Sequence, residues 1–355
     1  MIITRTPFRI SFFGGGTDYP PWYLNNGGNV LSATIDKYCY ITLRYLPPFF
    51  EHRIRVVYSK VELCQNFEEI QHPAVRETLR FLEIDRGLEI HHDGDLPARS
   101  GMGSSSSFTV GLLSALYALK GTMASKKQLA LESIHIEQNM IKETVGSQDQ
   151  IAAAFGGLNQ IVFHKNGEFE VRPIIISKDR TSQFNSHLML FYTGIKRTAS
   201  NIADSYVEDI QNKENLLNNM HEMVEKGIVI LQNDSDICDF GKLLHEAWVA
   251  KRSLSSKVSN NIVDDLYQRS LDAGAVGGKI TGAGGGGFLL LFVPPSEQHC
   301  VRKALNELIH VPFRFEFQGS QINLYDPTVE DYSEAEKDRA GRSICISREL
   351  DTIKS

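Results

Sequence analysis

Three glycine-rich segments of this chain carry residue types that could bind a polyphosphate. They are residues 7–18, residues 95–107 and residues 279–288. Glycine lets backbone N–H groups turn toward an anion, and the apolar run 108–119 predicts a helix whose first turn adds unpaired donors. The second segment is not a Walker A loop, because no Gly-Lys-Ser/Thr follows at the required spacing. Taken alone, it is equally typical of a flexible Gly/Ser loop.

Charged residues elsewhere could complete a site for phosphoryl transfer. Asp149 opens a predicted helix, Glu137 lies twelve residues before it, and Arg9 lies in a strand-like run. Each residue also has a purely structural interpretation: Asp149 as a helix cap, Glu137 as part of a solvated helix face, and Arg9 as a member of a surface ion pair. Transfer to a hydroxyl requires a phosphate cradle, a magnesium ion, a cation at the γ-phosphate and a carboxylate near the attacking oxygen. The chain therefore has a candidate for each part.

The elements that must position these residues mix strands with helices in the first half and run from helices to strands in the second. This pattern predicts an α+β protein of two domains, residues 1–185 and 186–326, with a polar tail 327–355 that is disordered or wraps the surface. Strands are expected at 2–13, 29–45, 54–58, 88–92, 158–163, 169–176, 188–192, 288–293 and 311–317. Helices are expected at 128–142, 148–155, much of 199–273, and 296–309, the last completing a β-α-β unit.

Bulk properties exclude several classes of function. The net charge is −6, the sequence pI is about 6.0 and the basic residues are scattered, which argues against a nucleic-acid partner. No apolar run is long enough to span a membrane, and residues 1–5 are typical of a strand, not of a secretory signal. The five cysteines include no C-x-x-C pair, so reduced thiols in a cytoplasmic protein are expected. His135, His221 and His245 lack metal-ligand spacing.

The three glycine-rich segments, in this order and at these separations, resemble the GHMP kinases. Within that superfamily, residues 14–18, 27–38 and 245–248 are similar to the D-glycero-D-manno-heptose 7-phosphate kinases. The similarity covers roughly residues 1–326. The resemblance implies a two-domain GHMP kinase fold, with an N-terminal domain like ribosomal protein S5 and a ferredoxin-like C-terminal domain.

The resemblance also implies roles for the charged residues, with ATP and Mg²⁺ as cofactors. Asp149 would face the acceptor hydroxyl, and Arg9 would lie beside the γ-phosphate and lower the pKa of Asp149. Whether Asp149 takes the proton or mainly orients the hydroxyl stays open. Glu137 and Ser105 would bind the metal, with Ser106 as the alternative serine. The residues expected to bind ATP are Ser100, Gly101, Met102, Gly103, Ser104, Ser105, Ser106 and Ser107.

The expected sugar site follows from the same resemblance. Its residues would be Gly15, Gly16, Thr17, Asp18 and Gly146. Galactokinases carry Glu-His where this chain has Gly15-Gly16, so the site has more room and galactose is disfavoured.

A substrate phosphate would need basic residues opposite the reacting end of the sugar. Lys196 and Arg197 are the first candidates, with Lys37, Arg44 and Lys251 as alternatives. The third glycine segment would approach the phosphate loop through Gly282, Gly284, Gly285 and Gly286, and Lys279 would be structural or touch substrate.

The expected reaction is ATP-dependent phosphorylation of the anomeric O1 of D-glycero-D-manno-heptose 7-phosphate to the 1,7-bisphosphate, for synthesis of nucleotide-activated heptose. The alternatives are another anomeric kinase of the superfamily, acting on fucose or an unphosphorylated heptose, and a catalytically silent sensor of sugar and ATP. The expected partners are the sugar phosphate and ATP, with no nucleic acid and no membrane. A homodimer is left open.

Overall fold

The computed structural model describes residues 1–195, 203–205, 207, 210–328 and 330–341. Its strands are β1 (Ile2–Phe13), β2 (Gly28–Tyr45), β3 (Ile54–Val57), β4 (Val61–Cys64), β5 (Leu88–Gly94), β6 (Leu158–Phe163), β7 (Phe169–Pro173), β8 (Leu188–Tyr192), β9 (Gly277–Ile280), β10 (Phe288–Phe292), β11 (Ile309–His310), β12 (Phe315–Glu316) and β13 (Gln321–Tyr325). Its helices are α1 (Pro20–Asn26), α2 (Pro73–Phe81), α3 (Ser104–Leu119), α4 (Lys126–His135), α5 (Gln148–Phe155), α6 (Lys178–Ser186), α7 (Glu214–Gln232), α8 (Cys238–Arg252), α9 (Asn261–Asp272), α10 (Gln298–Ala304) and α11 (Ser333–Gly341). A π-helical turn, Ile136–Met140, follows α4.

The first sheet is built around β2, a strand of 18 residues. It pairs antiparallel with β1, β5, β6 and β12, while β3 joins β5 in parallel. Helix α3 packs on β1 and β2, and it is buried along most of its length. A helix that is buried on nearly all sides has no polar face, which explains why its sequence is apolar without a helical stripe.

The second sheet has the strand order β11-β8-β10-β9, and all of its pairs are antiparallel. Every residue of the central strand β10 is buried. Helix α8 packs on β9 and β10, and α7 packs on α8. Two largely antiparallel sheets with their own helices confirm the predicted α+β class.

The predicted β-α-β unit forms from β10, α10 and β11, because β10 and β11 both pair antiparallel with β8 and so run in the same direction. Its bounds differ from the prediction. Helix α10 is shorter than the predicted 296–309, and the predicted strand 311–317 is reduced to β12. Strand β12 pairs with β2, and β13 pairs with β1 at the edge of the first sheet. The chain therefore returns to the first sheet after the second is complete. The domain boundaries stay a prediction. That prediction assigned β12 and β13 to the second domain, residues 186–326, but both strands belong to the first sheet.

The described part of the tail lies against the first domain. Glu336 on α11 accepts a hydrogen bond from the backbone N–H of Gly87 at 2.9 Å and pairs with Arg86 at 3.3 Å. Of the two options for the tail, this segment follows the surface-wrapping one.

No helix within the described ranges is both long and apolar enough to cross a membrane. Cys39, Cys64, Cys238 and Cys300 carry free thiols, and Cys345 lies outside the described residues.

Aromatic side chains join the two halves of the molecule. The ring of Phe240 on α8 lies with its centroid 4.6 Å from that of Phe184, 4.9 Å from Phe13 and 5.5 Å from Phe12. Phe12 and Phe13 end β1, so this cluster packs the second domain directly behind the strand that carries Arg9.

We expect Phe240→Ala to lower the free energy of unfolding by about 3–5 kcal/mol, because it leaves a cavity in this fully buried cluster. Urea unfolding followed by circular dichroism measures the change. Phe49→Ala is the matched control, since that ring is 74% exposed and its loss should change stability by less than about 0.5 kcal/mol. Equal effects of the two substitutions would contradict the assignment of Phe240 to the interface between the halves.

Candidate active site

Arg9 lies where β1, α5 and the loop before α3 meet. Its guanidinium donates from Nε to Asp149 Oδ1 and from Nη2 to Asp149 Oδ2, both at 2.7 Å, and from Nη1 to the carbonyl of Gly101 at 2.7 Å. Its backbone N–H donates to the carbonyl of Met102 at 3.1 Å. The side chain of Arg9 is 4% exposed and that of Asp149 is 24% exposed. The structure thus brings the two predicted catalytic residues together, with the carboxylate nearer to solvent.

The three loops of the site can now be defined. The first loop is residues 14–19 between β1 and α1, the second loop is residues 95–103 between β5 and α3, and the third loop is residues 281–287 between β9 and β10. Gly103 ends the second loop at φ +75°, and a Cβ there would lie 3.2 Å from Arg9 Cγ and 3.5 Å from Asp149 Oδ2. A side chain at this position would be strained and would crowd the ion pair.

Helix α3 begins at Ser104, directly after this left-handed glycine. The N–H groups of its first turn have no intrahelical acceptors, so the start of the helix suits an anion. Among the eight residues predicted to bind ATP, four serines divide into two groups here. Ser104 and Ser105 have accessible side chains, whereas Ser100 and Ser107 use their hydroxyls to bond the carbonyls of Pro97 and Pro7. The latter two hold the second loop in place.

Glu137 is fully buried on the π-helical turn behind α3. Its Oε2 accepts hydrogen bonds from Ser106 Oγ at 2.9 Å and from Gln150 Nε2 at 2.6 Å. Its Oε1 has no hydrogen-bond partner in the described part of the chain. Burial raises the pKa of Glu137 to about 7.

Of the two serines considered as the partner of Glu137, the structure brings Ser106 to it. The hydroxyl of Ser106 donates to Glu137, whereas Ser105 is exposed at the preceding position of the helix. A buried carboxylate oxygen without a partner, beside a hydroxyl, fits Mg²⁺, which takes hard oxygen ligands and often only one or two carboxylates together with phosphates. The described residues contain no cluster of three or more His, Cys, Asp or Glu side chains that could hold a metal by themselves.

Asp18 is buried at the end of the first loop. Its Oδ1 accepts from the backbone N–H of Gly16 at 2.9 Å, and its Oδ2 accepts from Gln148 Nε2 at 3.0 Å. Burial raises the pKa of Asp18, and the charge of Asp149 raises it further. Gly146 is required beside it, because a Cβ at that position would overlap Asp18 Oδ2.

Thr17 has a different role from the one predicted. It is fully buried, and its hydroxyl bonds the carbonyls of Gly14 and Asn29 and the N–H of Asn29. These bonds tie the first loop to the start of β2. The structure therefore assigns Thr17 to loop geometry and not to substrate contact.

The third loop lies against the second through Gly287, and not through the four glycines predicted to make this approach. A Cβ on Gly287 would overlap the carbonyl oxygen of Ser100, so the two backbones touch. Elsewhere the loop is anchored within the second domain. Lys251 Nζ bonds the carbonyl of Gly282, and the N–H of Gly285 donates to the carbonyl of Val258 at 2.7 Å.

Lys279 crosses from the second sheet to the first. It is buried on β9, and its Nζ donates to the carbonyl of Phe12 on β1 at 2.9 Å. Burial, together with the charges of Lys251 and Arg9, holds the pKa of Lys279 well below its usual range. Sequence reasoning left its role undecided, and its position directly before the third loop was the only signal.

The structure brings only some of the residues predicted to bind a substrate phosphate near the site. Lys196 and Arg197 lie outside the described residues. Among the alternatives, Lys37 is bonded to Asp36, and Arg44 is paired with Glu89. Lys251 is the alternative that the structure brings to the site.

Two family models match the chain: "GHMP kinases N terminal domain" over residues 68–157 and "GHMP kinases C terminal" over residues 209–310. A D-glycero-alpha-D-manno-heptose 7-phosphate kinase from Campylobacter jejuni is 29% identical over 320 residues, which are 86% of this chain and 93% of that protein. An L-fucokinase/L-fucose-1-P guanylyltransferase from Bacteroides fragilis is 26% identical over 345 residues, 85% of this chain but 36% of that protein.

Among solved structures, a D-glycero-D-manno-heptose 1-phosphate kinase from Bacteroides thetaiotaomicron superposes with a TM-score of 0.74 at 23% identity. The match covers 92% of this chain and all of that one. The two proteins therefore share a fold, which is the predicted two-domain arrangement.

The burial of the Asp18 carboxyl group predicts how the free energy of unfolding changes with pH. Because its pKa is raised in the folded state above the ordinary 3.8, the folded protein binds more protons and the wild type loses stability as the pH rises from that value. Asp18→Asn removes this loss, so the unfolding free energy of the variant should exceed that of the wild type by an amount that grows from pH 4 to pH 7. Urea unfolding at several pH values measures it. Asp272→Asn at the exposed end of α9 is the control, and parallel pH curves for wild type and Asp18→Asn would refute the expectation.

Proposed function

Because this chain belongs to the GHMP kinases, we propose that it transfers the γ-phosphoryl group of ATP to the anomeric O1 hydroxyl of D-glycero-D-manno-heptose 7-phosphate. The product is the 1,7-bisphosphate, which serves the synthesis of nucleotide-activated heptose. The observation that carries this proposal is the bidentate ion pair of Arg9 and Asp149, held against the second loop. We place the reaction in the cytoplasm, where ATP is the donor and free thiols persist.

Arg9 and Asp149 act on opposite partners of the transfer. The carboxylate is the more exposed of the two, so it can accept a hydrogen bond from the sugar hydroxyl, orient it and take its proton. Arg9 is permanently charged, and its two bonds fix the carboxylate. The guanidinium also places positive charge beside the second loop, where negative charge on the transferring phosphoryl oxygens needs stabilisation.

Glu137 and Ser106 would hold Mg²⁺ on the other side of the α3 N-terminus. The free Oε1 of Glu137 is the atom that fits the ion. Magnesium, when bound, neutralises charge on the β- and γ-phosphates. The carboxyl group must be ionised to act as a ligand, and a nearby cation favours that form against the effect of burial.

Support for a heptose phosphate comes from the relative that the chain matches over nearly its whole length. The first loop agrees, since Gly15 leaves space near Asp18 where galactokinases carry a side chain. We assign the substrate phosphate to Lys196 and Arg197, with Lys251 as the alternative on the second domain. Fucose is the second candidate, because the fucokinase relative matches 85% of this chain.

The experiment that tests the proposal is sugar-dependent release of ADP from magnesium-ATP over a panel of D-glycero-D-manno-heptose 7-phosphate, the free heptose, mannose 6-phosphate, fucose and galactose. We expect turnover with the heptose 7-phosphate, and Arg197→Ala should raise its KM at least about tenfold, because it removes a charge-assisted bond to phosphate. Turnover with fucose or the free heptose alone would replace the substrate but keep the kinase. Bound ATP without turnover of any sugar would favour the sensor.

We expect Asp149→Asn to lower kcat by about 10²–10⁴-fold, because the amide preserves shape but cannot accept the proton. Arg9→Lys keeps the charge but loses the two-pronged contact, so its kcat should fall as well. Both effects are measured by steady-state ADP release with the heptose 7-phosphate.

Arg172→Lys is the matched control, because Arg172 pairs with Glu170 on the exposed strand β7. It should retain wild-type kcat. Folded Asp149→Asn protein with full turnover would eliminate Asp149 as the catalytic carboxylate.

A further inference from the structure

Two buried side chains beside Asp18 carry polar atoms that no described residue satisfies. Ser11 on β1 is 5% exposed, and its Oγ has no hydrogen-bond partner in the described ranges. Gln148, the first residue of α5, is 9% exposed, and its Oε1 is likewise unpaired there. Buried polar atoms without partners are rare in folded proteins and destabilise them. Two of them at one place indicate a ligand.

The orientation of the Gln148 amide is determined by its neighbour. Its Nε2 donates to Asp18 Oδ2 at 3.0 Å, and the same oxygen accepts from the backbone N–H of Gln148 at 3.4 Å, so Oδ2 acts as an acceptor. The amide nitrogen must therefore face Asp18, so Oε1 is directed away from that bond. Gln148 thus presents an acceptor, and the hydroxyl of Ser11 presents a donor and an acceptor.

Gly15 leaves an open space that borders both side chains. A Cβ on Gly15 would lie 3.6 Å from Gln148 Nε2 and 3.7 Å from Ser11 Oγ, and no other described atom beyond its chain neighbours comes within 4 Å of that point. Gly15 has no positive φ, so its backbone does not require glycine. Glycine is needed at this position because a side chain would fill the space beside Ser11 and Gln148.

The space adjoins the reacting residues. Arg9 and Ser11 are two positions apart on β1 and lie on the same face of the strand, because side chains alternate along a strand. Gln148 directly precedes Asp149 on α5. A group that fills the space therefore belongs to the molecule that meets the Arg9–Asp149 pair.

We propose that Ser11 and Gln148 bind one hydroxyl group of the acceptor sugar over Gly15 and so contribute to sugar specificity. The sugar hydroxyl donates to Gln148 Oε1 and accepts from Ser11 Oγ, which satisfies both buried atoms at once. This inference rests on the proposed function and names residues of its acceptor site that the sequence motifs did not include.

Calorimetric titration of D-glycero-D-manno-heptose 7-phosphate into the enzyme, saturated with a non-hydrolysable ATP analogue, tests the inference without turnover. We expect Ser11→Ala to weaken sugar binding about fivefold, the effect of one hydrogen bond between uncharged groups. Gly15→Ala should weaken it by more than about tenfold, since its methyl group fits the chain but occupies the space of the hydroxyl. The affinity for the ATP analogue should stay unchanged in both.

Ser270→Ala is the matched control, because Ser270 is fully buried in α9 and its hydroxyl bonds only the carbonyl of Leu266 among the described residues. It should bind the sugar as the wild type does. Wild-type sugar affinity in Ser11→Ala or in Gly15→Ala would overturn the inference.

Turnover of the wild type, measured separately, distinguishes the two proposals. Sugar binding that is weakened in Ser11→Ala, without any release of ADP by the wild type, would refute the proposed function and support the inference. Turnover by the wild type, together with unchanged sugar binding in Ser11→Ala, would support the proposed function and refute the inference.

Discussion

The guanidinium of Arg9 is the interaction on which the arrangement of the site depends. Its bonds reach Gly101 and Asp149, which lie 92 and 140 residues further along the chain. The Arg9 side chain is only 4% exposed, so losing the Asp149 carboxylate would leave its charge buried with fewer partners, which is destabilising. β1, the second loop and α5 therefore stabilise one another in these positions, and the second loop and the carboxylate are placed by the same side chain.

The second domain completes this arrangement from the opposite side. Gly287 of the third loop touches the backbone of Ser100, and Lys279 bonds the carbonyl of Phe12, at the end of the strand that carries Arg9. The Phe240 cluster packs behind the same strand. Because these contacts converge on β1 and the second loop, the geometry of the site depends on how the two domains pack, and neither sheet contains the whole site.

Much of this could be predicted from sequence, since β1, α5 and β8 are marked by local patterns and the three glycine segments by composition. The sequence did not determine features that depend on contacts between distant residues or on the exact rotation of a side chain about its helix. The choice between Ser105 and Ser106 is set by the residue at which α3 begins and by the π-helical turn that carries Glu137, because each residue turns a helix by about 100°. The pairing of β12 and β13 with the first sheet joins residues between 280 and 323 positions apart, which no local pattern encodes. The burial of Lys279 follows from the packing of the domains.

Three ionisable residues of the candidate site, Asp18, Glu137 and Lys279, lie in surroundings that disfavour their charged forms. Burial raises the pKa of Asp18 and of Glu137 and lowers that of Lys279. Each group would gain from what a bound substrate brings: a cation beside Glu137, hydroxyl donors near Asp18, and negative phosphate near the cationic side of the cleft. Ligand binding and the ionisation of these groups are thus thermodynamically coupled, since whatever favours the charged forms also favours the bound state. The same burial lowers the stability of the protein without ligand, so a sequence selected for stability alone would replace these residues with apolar ones.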